Sequence, residues 1–87
     1  MANIKSAMKR AQIIQVRTKR NAAYKSMMRT AIRRFETSMK SGEMEKAGED
    51  LRKALRMIDK VETKGVIHKN TANRKKSRLV KAFNRAS

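Results

Sequence analysis

The residues best suited to chemistry are four cations in the last part of the chain. Arg74, Arg78, Lys81 and Arg85 follow one another at intervals of four, three and four residues. On an α-helix this spacing places all four on one face, roughly opposite the apolar residues of the same segment. Such a face can pair with several anionic groups at once, and arginine can hold a phosphate through two parallel hydrogen bonds. A basic surface that contacts only solvent would show the same spacing, so both interpretations stay open at this point.

A second row of cations lies nearer the middle of the chain. Lys25, Arg29 and Arg33 repeat every four residues, and no acidic residue precedes Glu36. Because a merely solvated surface normally mixes both signs of charge, this second row favours anion binding.

The sequence offers almost nothing for catalysis. His68 is the only histidine, the chain has no cysteine, and the nearest acidic residues are Asp59 and Glu62. No set of nucleophile, base and orienting group is evident, nor any phosphate-binding glycine loop or paired-histidine metal motif. We therefore expect neither an enzyme nor a bound cofactor, metal or small-molecule substrate. His68 itself could contact a phosphate or a base, or equally be a turn residue.

Charge is distributed very unevenly along the chain. The 87 residues include 24 Lys and Arg but only 7 Asp and Glu, which gives a formal net charge of +17. All seven acidic residues lie between Glu36 and Glu62, so both ends carry only positive charge. Segments of one sign repel themselves unless a polyanion neutralises them, and nucleic acid is the polyanion that fits best. A solubilising tail would also be basic, but it would not need helical spacing.

Length and composition allow one small domain, residues 1–87, with a thin core. Only 39% of the residues are hydrophobic and 3% aromatic, and a chain this short buries roughly 60 to 65% of its unfolded surface. The longest apolar run is Ala22-Ala23-Tyr24, whereas a membrane span needs about 18 residues and a signal-peptide core about 7. We expect a chain that neither spans a membrane nor is secreted by that route, and that has no disulfides.

Glycines divide the chain into three helical segments. There is no proline, and Gly42 and Gly65 stand where helices can end. The sequence predicts helices over about 4–40, 43–62 and 70–84. Ser41-Gly42 should end the first helix and could provide the N-cap of the second, and Asn70 or Thr71 should be the N-cap of the third. The fold class is therefore all-α, a three-helix bundle whose first helix is long.

The apolar spacing indicates which faces pack. In the second helix the stripe is Met44, Ala47, Leu51, Ala54, Leu55, Ile58 and Val61, and in the later half of the first it is Tyr24, Met28, Ala31, Phe35 and Met39. The aromatic residues therefore belong to the core rather than to a base-stacking platform. Arg52, Lys53 and Arg56 stay outside among acidic residues, so we expect them to matter less for binding than the third-helix face. Lys76 falls on the apolar side of its helix, so its stem should lie along the core edge. Gly48 indicates either that another backbone segment approaches closely there or that a glycine is merely tolerated.

The start of the first helix is expected to overhang the bundle. A second helix of about 20 residues returns only to the level of about residue 20, and Ile4, Met8 and Ala11 do not continue the core face. The overhang carries six cations: Lys5, Lys9, Arg10, Arg17, Lys19 and Arg20. Without a packing partner this segment should fray alone and become ordered on an anionic surface.

Three stretches resemble one protein family. They are MANIKSA at residues 1–7 with Lys9-Arg10, Arg20-Asn21 through MRTA at 28–31, and KGVIHKNTA at 64–72 followed by RKKSRL at 74–79. In this order and at this length they closely resemble the bacterial small-subunit ribosomal protein S20 family. Ile13, Ile14 and Val16 depart from the more polar residues usual there, and whether they face RNA or protein stays open.

The resemblance implies a three-helix bundle that binds small-subunit ribosomal RNA directly and helps it fold during assembly. It also implies a place in the cytoplasm within the ribosome, beside neighbouring components of the small subunit. Together with the cation rows it gives these candidate RNA-binding residues: Lys5, Lys9, Arg10, Arg17, Lys19, Arg20, Lys25, Arg29, Arg33, His68, Lys69, Asn70, Arg74, Lys75, Ser77, Arg78, Lys81 and Arg85.

Two other classes of protein have similar charge. A histone-like DNA-binding protein would be as basic, but no short helix-turn-helix or minor-groove arm with an apolar wedge is evident. A membrane-surface or organelle-targeting helix would fit the acid-free residues 1–35, but that segment has no tryptophan and few bulky apolar residues. Binding to duplex DNA and to lipid vesicles would separate these classes from an RNA-binding protein.

Overall fold

The computed structural model describes residues 2–87, and Met1, which opens the first stretch quoted above, lies outside them. The described chain forms three α-helices: α1 over Ala2–Lys40, α2 over Met44–Thr63 and α3 over Lys69–Ala86. This confirms the all-α fold with a long first helix. The first helix ends at residue 40 as predicted, and the other observed ends differ from the predicted ones by one or two residues.

Both connections are built on the glycines that the sequence pointed to. At the end of α1, Gly42 has φ +74°, and the Glu43 N–H donates to the Ser38 carbonyl at 3.2 Å. At the end of α2, Gly65 has φ +75°, and the Val66 N–H donates to the Val61 carbonyl at 3.1 Å. These bonds satisfy carbonyls that a helix end leaves free. Ser41-Gly42 does not cap α2, however, because the N-cap is Glu43 and its side chain makes no capping bond.

The core lies along α2, which packs against α1 on one flank and α3 on the other. The buried residues of α1 and α2 come from the expected stripes, and α3 contributes two apolar residues from the side opposite its cations. They are Met28 and Phe35 of α1, Ala47, Leu51, Ala54, Ile58 and Val61 of α2, and Ala72 and Leu79 of α3. Alanine supplies three of these positions, which fits the thin core expected from composition. Gly48 is not required by a backbone contact, since an added Cβ would lie an ordinary 3.6 Å from the Phe83 ring.

Two polar contacts join α2 to its neighbours. The buried Ser38 hydroxyl of α1 donates a hydrogen bond to Asp50 of α2. On the other flank, Lys76 Nζ of α3 lies 2.7 Å from Asp59 Oδ1. Lys76 is half-buried, so it occupies the core edge as the apolar spacing predicted.

The first part of α1 extends beyond the bundle. Every side chain of residues 4–20 is exposed, and Asn21 is the first half-buried one. The end of α2 reaches the level of Tyr24, because Lys60 Nζ lies 6.0 Å from the centre of the Tyr24 ring. The described Cα atoms extend 64 Å along the long axis but only 21 and 14 Å across it. A single helix therefore carries the overhang cations away from the bundle.

Candidate nucleic-acid interface

The α3 cations form the continuous face that their spacing predicted. Arg74, Arg78, Lys81 and Arg85 are all exposed, while Ala72 and Leu79 of the same helix are buried. Among the described residues none of the four takes part in an ion pair. We call these four residues the α3 face. Because these charges form no ion pair within the described part of the chain, they can pair with external anions.

The α1 cations lie on two separate surfaces. Lys25, Arg29 and Arg33 are exposed along the bundled half of the helix. The six overhang cations are also exposed, and at 100° per residue they cover about half of the helix circumference. An anionic surface could therefore contact the overhang over a wide angle rather than along one line.

The remaining candidates gather at the start of α3, where one expectation is wrong. The N-cap is His68 rather than Asn70 or Thr71, and its Nδ1 accepts a hydrogen bond from the Asn70 N–H at 3.1 Å. Histidine was overlooked because serine, threonine, aspartate and asparagine are the usual capping residues. His68 thus is a capping residue of the turn, but its side chain stays exposed beside Lys69 and Asn70.

Lys75 and Ser77 differ in how far their side chains are exposed to solvent. Ser77 is exposed at the edge of the α3 face, whereas Lys75 is half-buried. Lys75 must therefore extend its stem along the bundle to reach an external anion.

Sequence reasoning missed a basic groove between α1 and α2. It has a volume of about 460 Å³, and it is lined by Met27, Thr30, Ala31, Arg34, Lys53, Arg56, Met57 and Lys60. No carboxylate is among these lining residues. Along α2 itself, Lys53 follows Glu49 by four residues and Arg56 precedes Asp59 by three, so acidic residues lie beside both cations as the sequence indicates. The seven-residue spacing of Lys46, Lys53 and Lys60 was the available signal, since it places three lysines along one side of α2.

The groove continues toward the α1–α2 turn with a different charge balance. This second part, about 440 Å³, is lined by Arg33, Arg34, Lys46 and Asp50 among others. Lys46 Nζ lies 3.8 Å from a Glu43 carboxylate oxygen, and Asp50 accepts the bond from Ser38. The excess positive charge is thus greatest in the carboxylate-free part. We call that carboxylate-free part the α1–α2 groove.

Other kinds of site are not evident among the described residues. No group of three or more His, Cys, Asp or Glu side chains among them could hold a metal ion. Within the same part of the chain, no helix combines the length and apolar character needed to cross a membrane. All three aromatic side chains are buried or half-buried, as expected, so none forms an open stacking surface.

Comparison with known proteins gives consistent matches over almost the whole chain. A family described as "Ribosomal protein S20" matches residues 2–84. The small ribosomal subunit protein bS20 of Pelotomaculum thermopropionicum is 54% identical over 85 residues, which cover 98% of this chain and 97% of that protein. The protein of the same name from Carboxydothermus hydrogenoformans is 57% identical over 84 residues, with 97% of this chain and 90% of the relative covered. That of Desulfitobacterium hafniense is 58% identical over 83 residues, with 95% of this chain and 91% of the relative covered.

Proposed function

Because this chain belongs to the ribosomal protein S20 family, we propose that it binds small-subunit ribosomal RNA directly and stabilises the folded RNA during subunit assembly. The family assignment confirms the resemblance found in the sequence. Family members are ribosomal proteins, so this chain is a structural protein and not an enzyme. We place it in the small ribosomal subunit, in the cytoplasm, beside other components of that subunit.

The observation that carries this proposal is the set of exposed cations that form no ion pair with any described residue. They occupy the overhang, the bundled half of α1 and the α3 face, on a chain with a net charge of +17. In the described residues the ion pairs use Lys46 and Lys76, neither of which is in these sets. Such concentrated positive charge is stabilised by contact with RNA, because RNA carries a negatively charged phosphate on every nucleotide.

Recognition on this proposal depends on phosphates and shape rather than on bases. Phe35 is buried, and Tyr24 and Phe83 are half-buried against the core, so the three rings do not form the exposed platform on which unpaired bases stack. A-form RNA presents phosphates along both edges of its grooves, and folded RNA brings several helices close together. The exposed α1 overhang could enter such a space with cations on about half of its circumference.

Salt dependence of binding tests the proposal. If roughly eight Lys and Arg side chains neutralise phosphates, the logarithm of the affinity for folded small-subunit RNA should fall with log salt at a slope of about −7. A slope shallower than about −2, equal affinity for duplex DNA at matched salt, or preferential binding to lipid vesicles would contradict it.

A further inference from the structure

The α1–α2 groove brings together four cations that the α3 face and the overhang do not include. Arg34 comes from α1, and Lys53, Arg56 and Lys60 come from α2. Lys53 and Lys60 are two helical turns apart, about 10 Å along the axis, and Arg56 lies between them. The groove therefore has positive groups on both walls over a length of at least two turns.

Nearby acidic residues offset this charge only in part. The exposed Glu49 lies one helical turn before Lys53 on α2. Asp59 lies about 60° around α2 from Arg56 and pairs with Lys76 of α3, and Asp50 lines the neighbouring part of the groove and bonds to Ser38. Four like charges around one groove repel each other, and an external anion would relieve that repulsion. The chain itself provides no such anion among the described groove residues.

The floor of the groove is apolar. Met27 is 43% exposed, and Ala31 and Met57 beside it are half-buried. A bound group must therefore bring several negative charges to the walls while it covers methionine side chains between them. An RNA strand has both features, because each nucleotide carries a phosphate and the sugars present C–H groups. An acidic peptide carries charge only at some of its residues, so four cations at this spacing fit it less well.

We propose that the α1–α2 groove is an additional RNA-binding site, in which Arg34, Lys53, Arg56 and Lys60 contact the phosphates of a backbone strand. This inference rests on the proposed function and adds a surface to it. The α3 face does not extend into this site, because α3 packs on the other flank of α2 through Phe83 against Gly48 and through Lys76 to Asp59. The two surfaces can therefore contact different stretches of the RNA.

The first test locates RNA beside the groove. Since the chain has no cysteine, a single cysteine can carry an iron–EDTA group that cleaves nearby RNA. Thr30→Cys places the probe at the groove, and Ser77→Cys places it beside the α3 face. In complexes of the full chain with small-subunit RNA, we expect both probes to cleave, at different positions. Cleavage from Ser77→Cys but none from Thr30→Cys would overturn the groove site and leave the proposed function standing.

The second test measures the contribution of the groove cations. Lys53→Gln with Arg56→Gln removes two groove charges, and Lys40→Gln with Arg52→Gln removes one exposed lysine and one exposed arginine elsewhere. We expect the groove variant to bind RNA about tenfold more weakly, with a salt slope shallower by about 1.5, while the control changes both much less. Equal effects of the two variants would overturn the site. The site would also be overturned if the groove variant bound an acidic peptide more weakly but bound RNA as tightly as the unmodified chain. Failure of the unmodified chain to bind RNA would instead reject the proposed function.

Discussion

The Ser38 hydroxyl donates a hydrogen bond to Asp50 across the α1–α2 interface. Ser38 is only 3% exposed, and Asp50 is half-buried. Neither residue belongs to an apolar stripe, so this contact adds a polar constraint to the packing of two helices that otherwise meet through apolar residues.

Removal of that hydroxyl should destabilise the bundle. In Ser38→Ala the half-buried Asp50 carboxylate loses its partner, and we expect the free energy of unfolding to fall by about 1 to 3 kcal/mol. Urea denaturation followed by circular dichroism measures this change. Thr37→Ala is the matched control, because the Thr37 hydroxyl is exposed and bonds only to the Arg33 carbonyl of its own helix. An equally large loss in Thr37→Ala would show that the Asp50 contact is not the cause.

Gly48→Ala should stabilise the protein. Gly48 is inside α2, its φ is not positive, and an added Cβ would lie 3.6 Å from the Phe83 ring. Alanine is better than glycine in a helix interior by about 1 kcal/mol, which corresponds to a rise of about 4 to 8 °C in Tm for a domain of this size. Gly42→Ala is the contrasting variant, because Gly42 has φ +74° and should lose about 1 kcal/mol or more. A fall in Tm for Gly48→Ala would indicate that the Phe83 ring cannot accommodate the methyl group.

The α3 face should contribute more to RNA binding than exposed cations that lie outside the proposed RNA-binding surfaces. Arg74→Ala with Arg78→Ala removes two cations that share one face, so we expect RNA affinity to fall about tenfold or more and the salt slope to become shallower by about 2. The control is Lys40→Ala with Arg52→Ala. Arg56 is not used in the control, because it lines the α1–α2 groove. Filter binding at several salt concentrations gives both quantities. Equal losses in the two variants would reject the assignment of the α3 face.

RNA should protect the overhang from hydrogen exchange. Residues 5–20 are helical but have no packed side chain, and their six cations repel one another. An isolated helical segment of this kind is marginal in water, so we expect fast amide exchange in the free protein and slow exchange in the RNA complex. Residues 54–61, which contain the buried Ala54, Ile58 and Val61, serve as an internal control that is protected in both states. Strong protection of residues 5–20 without RNA would mean that the helix is stable before binding.

The sequence alone determined the number of helices, their approximate ends and the residues that face the core. These features depend on local rules: Gly42 and Gly65 supply the left-handed conformation that ends a helix, and apolar residues repeat with the helical period. The overhang also follows from length, because a 20-residue α2 cannot reach the start of a 39-residue α1. The N-cap of α3 also depends on local sequence, but the sequence did not predict it because histidine is an uncommon capping residue.

Only the tertiary structure decided which charges meet across α2. Helical spacing gives the angle of Lys53, Arg56 and Asp59 around their own axis, but it does not say which flank faces α1 and which faces α3. In the folded chain the flank with Lys53 lies against α1 beside Arg34, and the flank with Asp59 lies against α3 beside Lys76. That arrangement gives the cations of α2 a neighbour in Arg34 and gives Asp59 a neighbour in Lys76, and the reason is that long-range packing, rather than local spacing, sets the neighbours of each helix face.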